Sequence, residues 1–241
     1  MVATNFIAAA IALAGVTTGV TASPLTGSYL KLSNGKGYNA DVTIHASCKG
    51  TQERALTKAL GEMNDLAKIA ANRILKYGSE DELYKKYFGD GEAATVLGYY
   101  KTILYGNKPG VLFRCDNIDN KCHQEGWAGH WRTEIAPLET VICPLSFTDA
   151  RKPLSAICKN GNKISAVKSN YFFASDLMHR LFHVPLINPG ERVDHFAGNW
   201  TEVTELAKVD GHKAVHNQDS YQYFALDVYG REVAKKPSGC V

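Results

Sequence analysis

The chain has 241 residues, with 27 Lys and Arg against 24 Asp and Glu and a formal net charge of +3. So small an excess, scattered along the sequence rather than gathered into a patch, excludes the electrostatic footprint of a nucleic-acid binder or of a protein held to an anionic membrane. Apolar residues make up 45% of the sequence, enough for a full hydrophobic core.

Residues 1–22 read as a secretory signal peptide. Asn5 to Ala22 is an uncharged, Ala-rich apolar run, and Val20, Thr21 and Ala22 supply small side chains before a cut ahead of Ser23. The only positive charge before it is the amino terminus, and a membrane anchor is the competing reading. The run is too short to span a bilayer comfortably, and no later apolar stretch approaches about 20 residues. The expected product is one secreted domain over residues 23–241 with no membrane span. Six cysteines, Cys48, Cys115, Cys122, Cys143, Cys158 and Cys240, follow. An even number on an oxidising route predicts three disulfides, with the pairing left open, and the lack of any CxxC argues against a cysteine zinc site. Asn199, Trp200, Thr201 is an N-glycosylation sequon, which if used must face solvent.

Tyr38 to Cys48 alternates as a strand, with Val42 and Ile44 on one face and Thr43 and His45 on the other. Thr51 to Tyr77 keeps a helical apolar period for several turns and is the longest helix. Glu80 to Phe88, closed by Gly89, and Glu92 to Tyr105 add two more helices. From Val111 the pattern changes: VLFRC, a polar turn over Asp116 to Lys121 and then Cys122 read as a hairpin, and Thr140 to Cys143 as another strand. His123 and His130 lie in loop-rich sequence near Gly126 and Gly129, without a ligand-spaced neighbour.

Ser169 to Pro185 reads as one helix of about four turns, capped by Ser169 or Asn170 and stopped by Pro185. On it His179 and His183 lie four residues apart and project from one face, the spacing that lets two imidazoles share a zinc ion. Phe172, Phe173, Leu177, Met178, Leu181 and Phe182 cover most of the remaining circumference, so the helix is expected to be buried. Buried imidazoles need partners, either a metal or backbone carbonyls. Leu186 to Arg192 is a loop, Trp200 to Lys208 a short helix, Asp210 and Gly211 a turn, and His216 to Val233 a last helix with Tyr221, Phe224, Ala225 and Val228 turned inward. His212 and His216 form a second pair four apart, but Gly211 disfavours the early helix start that a second zinc site would need. The outline is α+β, predominantly helical with a small β-sheet.

His179, Arg180, Leu181, Phe182 and His183 spell HRXXH. With the strand ending at Cys48, Tyr87 to Gly89, the Cys115 and Cys122 spacing, Ile142 to Pro144 and the segment Asn217 to Tyr221, the chain resembles the secreted fungal HRXXH family. That family includes a major allergen and a pH-regulated zinc-scavenging antigen, and is itself similar to the deuterolysin (aspzincin) metalloproteases, which carry HEXXH. The resemblance implies a zincin-like, disulfide-stabilised fold with Cys48 joined to Cys115, Cys122 to Cys143 and Cys158 to Cys240. It also implies Zn2+ at His179 and His183, and a secreted, extracellular or cell-wall-associated protein. Deuterolysins take a third ligand from an Asp in a GTxDxxYG motif, which this sequence lacks. Val193 to Phe196 occupies that place, so His195 is the expected third ligand. Asp194 is the alternative, or else orients a neighbouring imidazole from outside.

In a zinc protease the Glu after the first His takes a proton from the metal-bound water. Here that position is Arg180, which stays protonated, and losing a general base removes on the order of 100- to 10,000-fold in rate. Asp176, one turn before His179, can be read as a substitute base or as an outer partner of His179; Glu191 and Asp194 are further candidate bases. The expected function is a secreted, non-catalytic zinc-binding protein on a metalloprotease-like scaffold, capturing extracellular zinc or engaging host proteins. The alternative is an active zinc metalloendopeptidase with a different base. An antigen without metal is a third reading. Handover to a cell-surface zinc transporter has no support in any stretch of the chain.

Overall fold

The apolar stripe of one long helix sets the architecture. The computed structural model describes residues 42–148 and 150–241. The signal-peptide reading and the Tyr38 to Asp41 part of the first predicted strand lie outside the described residues.

Helix α1 (Thr51–Tyr77) buries Leu56, Leu60, Met63, Ala67, Ala70 and Ile74, a spacing of three and four that lays one face against its neighbours. Asp81 starts α2 (Glu82–Phe88) by accepting from the Leu83 amide, and Arg73 of α1 grips the same carboxylate. Gly89 ends α2 at φ 59; a Cβ there would fall 2.0 Å from the Ala207 carbonyl oxygen, so only glycine permits this turn. Helix α3 (Ala93–Tyr105) packs along α1, and its Tyr100 hydroxyl donates to the Tyr221 carbonyl at 2.6 Å.

Four short strands form one sheet in the order β1-β2-β4-β3: β1 (Val42–Ile44), β2 (Val111–Arg114), β3 (Gly129–Trp131) and β4 (Glu139–Ile142). β1, β2 and β4 are parallel, with Thr43 opposite Leu112 and Phe113 opposite Thr140; β3 is antiparallel, with His130 opposite Val141. The predicted hairpin after Val111 does not form. β2 already has parallel partners on both edges, and Cys115 is tied to Cys48 while Cys122 is tied to Cys143. Cys158 pairs with Cys240, so all three disulfides join as the family resemblance implied.

The central helix is shorter than its sequence reads. α4 spans Phe173–Phe182, not Ser169 onward, and neither Ser169 nor Asn170 caps it. Lys152 pairs with the chain on either side of Phe172 and holds it extended, while the Ser169 hydroxyl is drawn to Asp219. Tertiary bonds thus take the residues that a local cap would need. After α4 come α5 (Trp200–Val209), a single turn α6 (Gly211–Ala214) capped by Asp210, and α7 (Gln218–Glu232). His216 falls between α6 and α7 instead of opening the last helix. α7 is buried from Gln218 to Val228 on every side, with Tyr221 and Phe224 set among Tyr84, Phe88 and Tyr100. No helix among the described residues is long and apolar enough to cross a membrane.

Candidate metal centre

His179 sits on α4 and His183 at its C-cap, on a helix whose Ala174, Leu177, Met178 and Leu181 are fully buried. α7 stitches onto this helix through two glutamines four residues apart. Gln218 Nε2 donates to the His179 carbonyl at 2.5 Å, and Gln222 Nε2 to the Ser175 carbonyl at 2.8 Å. His195 arrives from the loop after α4. The Asn188 side chain folds that loop back by bonding Phe182 and Val193, and Asn217 accepts from the amides of Phe196 and Ala197. Asp194 is pinned between His216 and Gln218 by backbone bonds.

The three imidazoles converge. One nitrogen from each of His179, His183 and His195 lies within 4.8 Å of the others, and the Nε2 atoms of His179 and His183 are 3.3 Å apart. Trp131 of the edge strand β3 stacks on His183 with 5.7 Å between ring centroids and 18° between planes. Burial holds His179 well below the usual imidazole range, helped by the charges of its histidine neighbours and Arg180. Burial, His195 and Arg180 likewise push His183 down to about 4. His195 moves the other way, raised by its hydrogen bond to Asp219, whose Oδ2 lies 3.4 Å from Nδ1. Asp219 is itself fixed by the Ser169 hydroxyl at 2.5 Å. The Nδ1 of His179 and the Gln222 side-chain oxygen are both buried without a hydrogen-bond partner, and the Gln222 side chain faces the His179 ring. Two half-buried imidazoles shifted toward the neutral form and a third with a carboxylate behind it make a donor set that fits Zn2+.

The other predicted site residues fall elsewhere. Asp194 is not part of the converging cluster: its carboxylate accepts from the His195 amide and orients no ring. Asp176 does not bond His179 and is not free to act as a base. It is fully buried and accepts from Arg180 Nε and Nη2 at 2.9 and 3.2 Å, and from Arg151 Nη2 at 3.1 Å. Arg180 is buried against Gly129, where a Cβ would lie 2.5 Å from Nη1. Tyr221 has its ring in the core and its hydroxyl on the Val215 carbonyl, away from the histidines. Glu191 is exposed in the loop after α4 and does not line the cleft. His130 is buried on β3 with Nε2 at 3.0 Å from Asp119; the cysteines beside it are consumed by their disulfide. His212 and His216 approach to 5.0 Å between rings, but no third donor joins them among the described residues. Asn199 is exposed, as its sequon requires, and caps α5 by accepting from the Glu202 amide.

Sequence reading met Asp219 and Gln218 only as part of the Asn217 to Tyr221 segment and gave them no role, and it missed Gln222 and Trp131. The signal for the first three was present: a polar Asn-Gln-Asp segment followed at four-residue spacing by Gln222, on a helix otherwise apolar enough to be buried.

This is a zincin-like α+β fold with three histidines gathered beside an open cleft. The solved structure of the zinc peptidase from Grifola frondosa shares that fold at a TM-score of 0.55 and 17% identity, covering 74% of this chain and 96% of its own. The chain belongs to the HRXXH family, described as "Putative peptidase family", whose family model matches residues 1–241. It is similar to Antigen 1 of Emericella nidulans, 48% identical over 198 residues, 82% of this chain and 71% of that protein. It is also similar to the pH-regulated antigen PRA1 of Candida albicans, 39% identical over 227 residues, 93% of this chain and 73% of the other.

Proposed function

We propose that this protein is a secreted zinc-binding protein, residues 23–241 forming one domain, that holds Zn2+ through His179, His183 and His195 and hydrolyses no peptide. The observation that carries the reading is the pairing at the second position of the HRXXH motif. A peptidase places a proton acceptor there; this chain places a buried guanidinium and ties the one carboxylate along the described cleft wall to two arginines.

Zn2+ bound by three protein ligands supplies a polarising charge to a fourth ligand such as water. The residues around it fix geometry rather than move protons. Asp219 holds the His195 ring from behind, Gln218 ties the backbone of His179 to α7, and Gln222 faces the His179 ring. Arg180 cannot accept a proton at physiological pH. Antigen names among the relatives support an extracellular or cell-wall setting, where the protein captures zinc or meets host proteins. Zinc titration of the purified mature protein tests the reading: sub-millimolar binding lost in His179→Ala is expected, and binding unchanged by that substitution ends it.

The cleft of about 390 Å3 beside edge strand β3 favours the second reading, an active metalloendopeptidase. Cleavage of an unfolded protein that stops with chelator and disappears in His183→Ala would establish it in place of the first.

A further inference from the structure

The charged side chains lining that cleft, histidines aside, are Arg151, Arg180 and Asp176. Asp176 serves both guanidiniums, so one positive charge is left over before any cation arrives. Both arginine side chains are largely buried, at 13% and 8% exposure, where water offsets little of that charge. Imidazole ligands add no negative charge to balance a dication, and the Asp219 carboxylate stands behind His195 rather than along this cleft. Arg180 and Arg151 line the same cleft as His179 and His183, so an anion held there lies beside the metal position.

The wall also holds hydrogen-bond donors without acceptors. Arg180 uses Nε and Nη2 on Asp176, and its Nη1 makes no hydrogen bond among the described residues. Arg151 Nε and the Thr140 hydroxyl are buried without a partner. Unused donors in a cleft of excess positive charge select an anionic acceptor. A carboxylate, planar and with two oxygens, is the group that guanidinium N–H pairs fit best.

We propose that this cleft is a carboxylate-binding site coupled to the metal centre: a carboxylate held by Arg180 and Arg151 tightens zinc binding at the three histidines, and zinc tightens the carboxylate. The inference rests on the zinc reading above. Where a peptidase has a base, this chain has an anion receptor, and the coupling is reciprocal by thermodynamic necessity.

The test is zinc titration of the disulfide-intact chain in acetate and in a sulfonate buffer matched in pH and ionic strength. The zinc Kd is expected to fall about fivefold or more in acetate. Acetate's own weak hold on zinc acts in the opposite direction, so the sign separates the two effects. Titrating acetate into zinc-loaded and zinc-free protein should return the same factor. Arg180→Gln is expected to abolish the response while zinc still binds, and Arg151→Gln to reduce it, which serves if the first variant fails to fold. Equal zinc affinity in both buffers overturns the coupling and leaves the metal site standing. No zinc uptake in either buffer overturns both. An acetylated dipeptide with a free carboxyl terminus, compared with its amide, distinguishes sources: a response exceeding that of acetate assigns chain ends, and one equal to it assigns small free carboxylates. A response to the amide as large as to the free acid overturns carboxylate recognition.

Discussion

Arg180 donates two hydrogen bonds to Asp176, one turn earlier on the same helix, with both side chains out of solvent. The arginine of HRXXH is therefore tied in this chain to a carboxylate one turn away. Restoring glutamate alone, in Arg180→Glu, would set a second carboxylate beside Asp176 with only Arg151 to offset both. That variant is expected to fold poorly and cleave nothing. Arg180→Glu combined with Asp176→Asn removes the clash and is the form in which chelator-sensitive cleavage of casein should be sought.

Asp176→Asn alone leaves two guanidiniums without a counter-charge in the protein interior. Breaking a buried ion pair from one side costs about 3–5 kcal/mol. Urea denaturation of the metal-free protein should show a loss of that order, and a loss below about 1 kcal/mol would mean that water reaches the pair.

The three histidines should differ in what their loss does. His195→Ala removes a donor and is expected to weaken zinc by about 100-fold or more, while Asp219→Asn, which removes only the group behind the ring, should cost about 10- to 100-fold. Competition with a zinc-binding dye measures both. Asp219→Asn also lowers the His195 pKa, because the carboxylate is what raises it. Protons then compete less, and the acid edge of zinc binding should shift to lower pH even as affinity at neutral pH falls.

Metal-free protein carries a pH signature of its own. His183 is pushed down to about 4 in the fold, from an ordinary value near 6.5. Between those values the unfolded chain binds more protons than the folded one, so stability rises with pH. The contribution is fully present above about pH 6.5 and is lost as pH falls through about 4. Denaturation midpoints of chelated protein at pH 7, 5.5 and 4 should fall in that order, and in His183→Gln this part of the slope should disappear.

Zinc should also stabilise the whole fold. A ligand bound only by the native state adds about 2.7 kcal/mol at a free concentration a hundredfold above its Kd. Calorimetry with zinc and with chelator should show a raised Tm with zinc. A Tm indifferent to chelator would favour the reading of an antigen without metal.

The parts of this architecture that local sequence determines were legible in it. α1 spans Thr51–Tyr77 as its periodicity predicts, because its stripe and the flanking Gly50 and Gly78 need no information from elsewhere. That His179 and His183 meet on one side of α4 followed from their four-residue spacing; singling them out over His212 and His216 took the family resemblance as well. What failed depended on distant chain. The partners of β2 lie about 70 residues before it and about 25 after it, so an apolar run with a polar turn looked like half of a hairpin. The start of α4 moved because Lys152 and Asp219 bid for the residues that would have begun it. Asp176 was misread for a similar reason: its helical phase relative to His179 was visible, but Arg151, which helps hold it away from the ring, comes from a segment 25 residues earlier.

The stacking of Trp131 on His183 has a practical result. An indole lying flat on an imidazole is an optical reporter already built into the protein. When a cation draws electron density from that ring, the indole's emission intensity and wavelength respond. The other tryptophans, Trp127 and Trp200, make no such contact with the three histidines, so Trp131→Phe should silence the metal-dependent change while the bulk of the fluorescence persists.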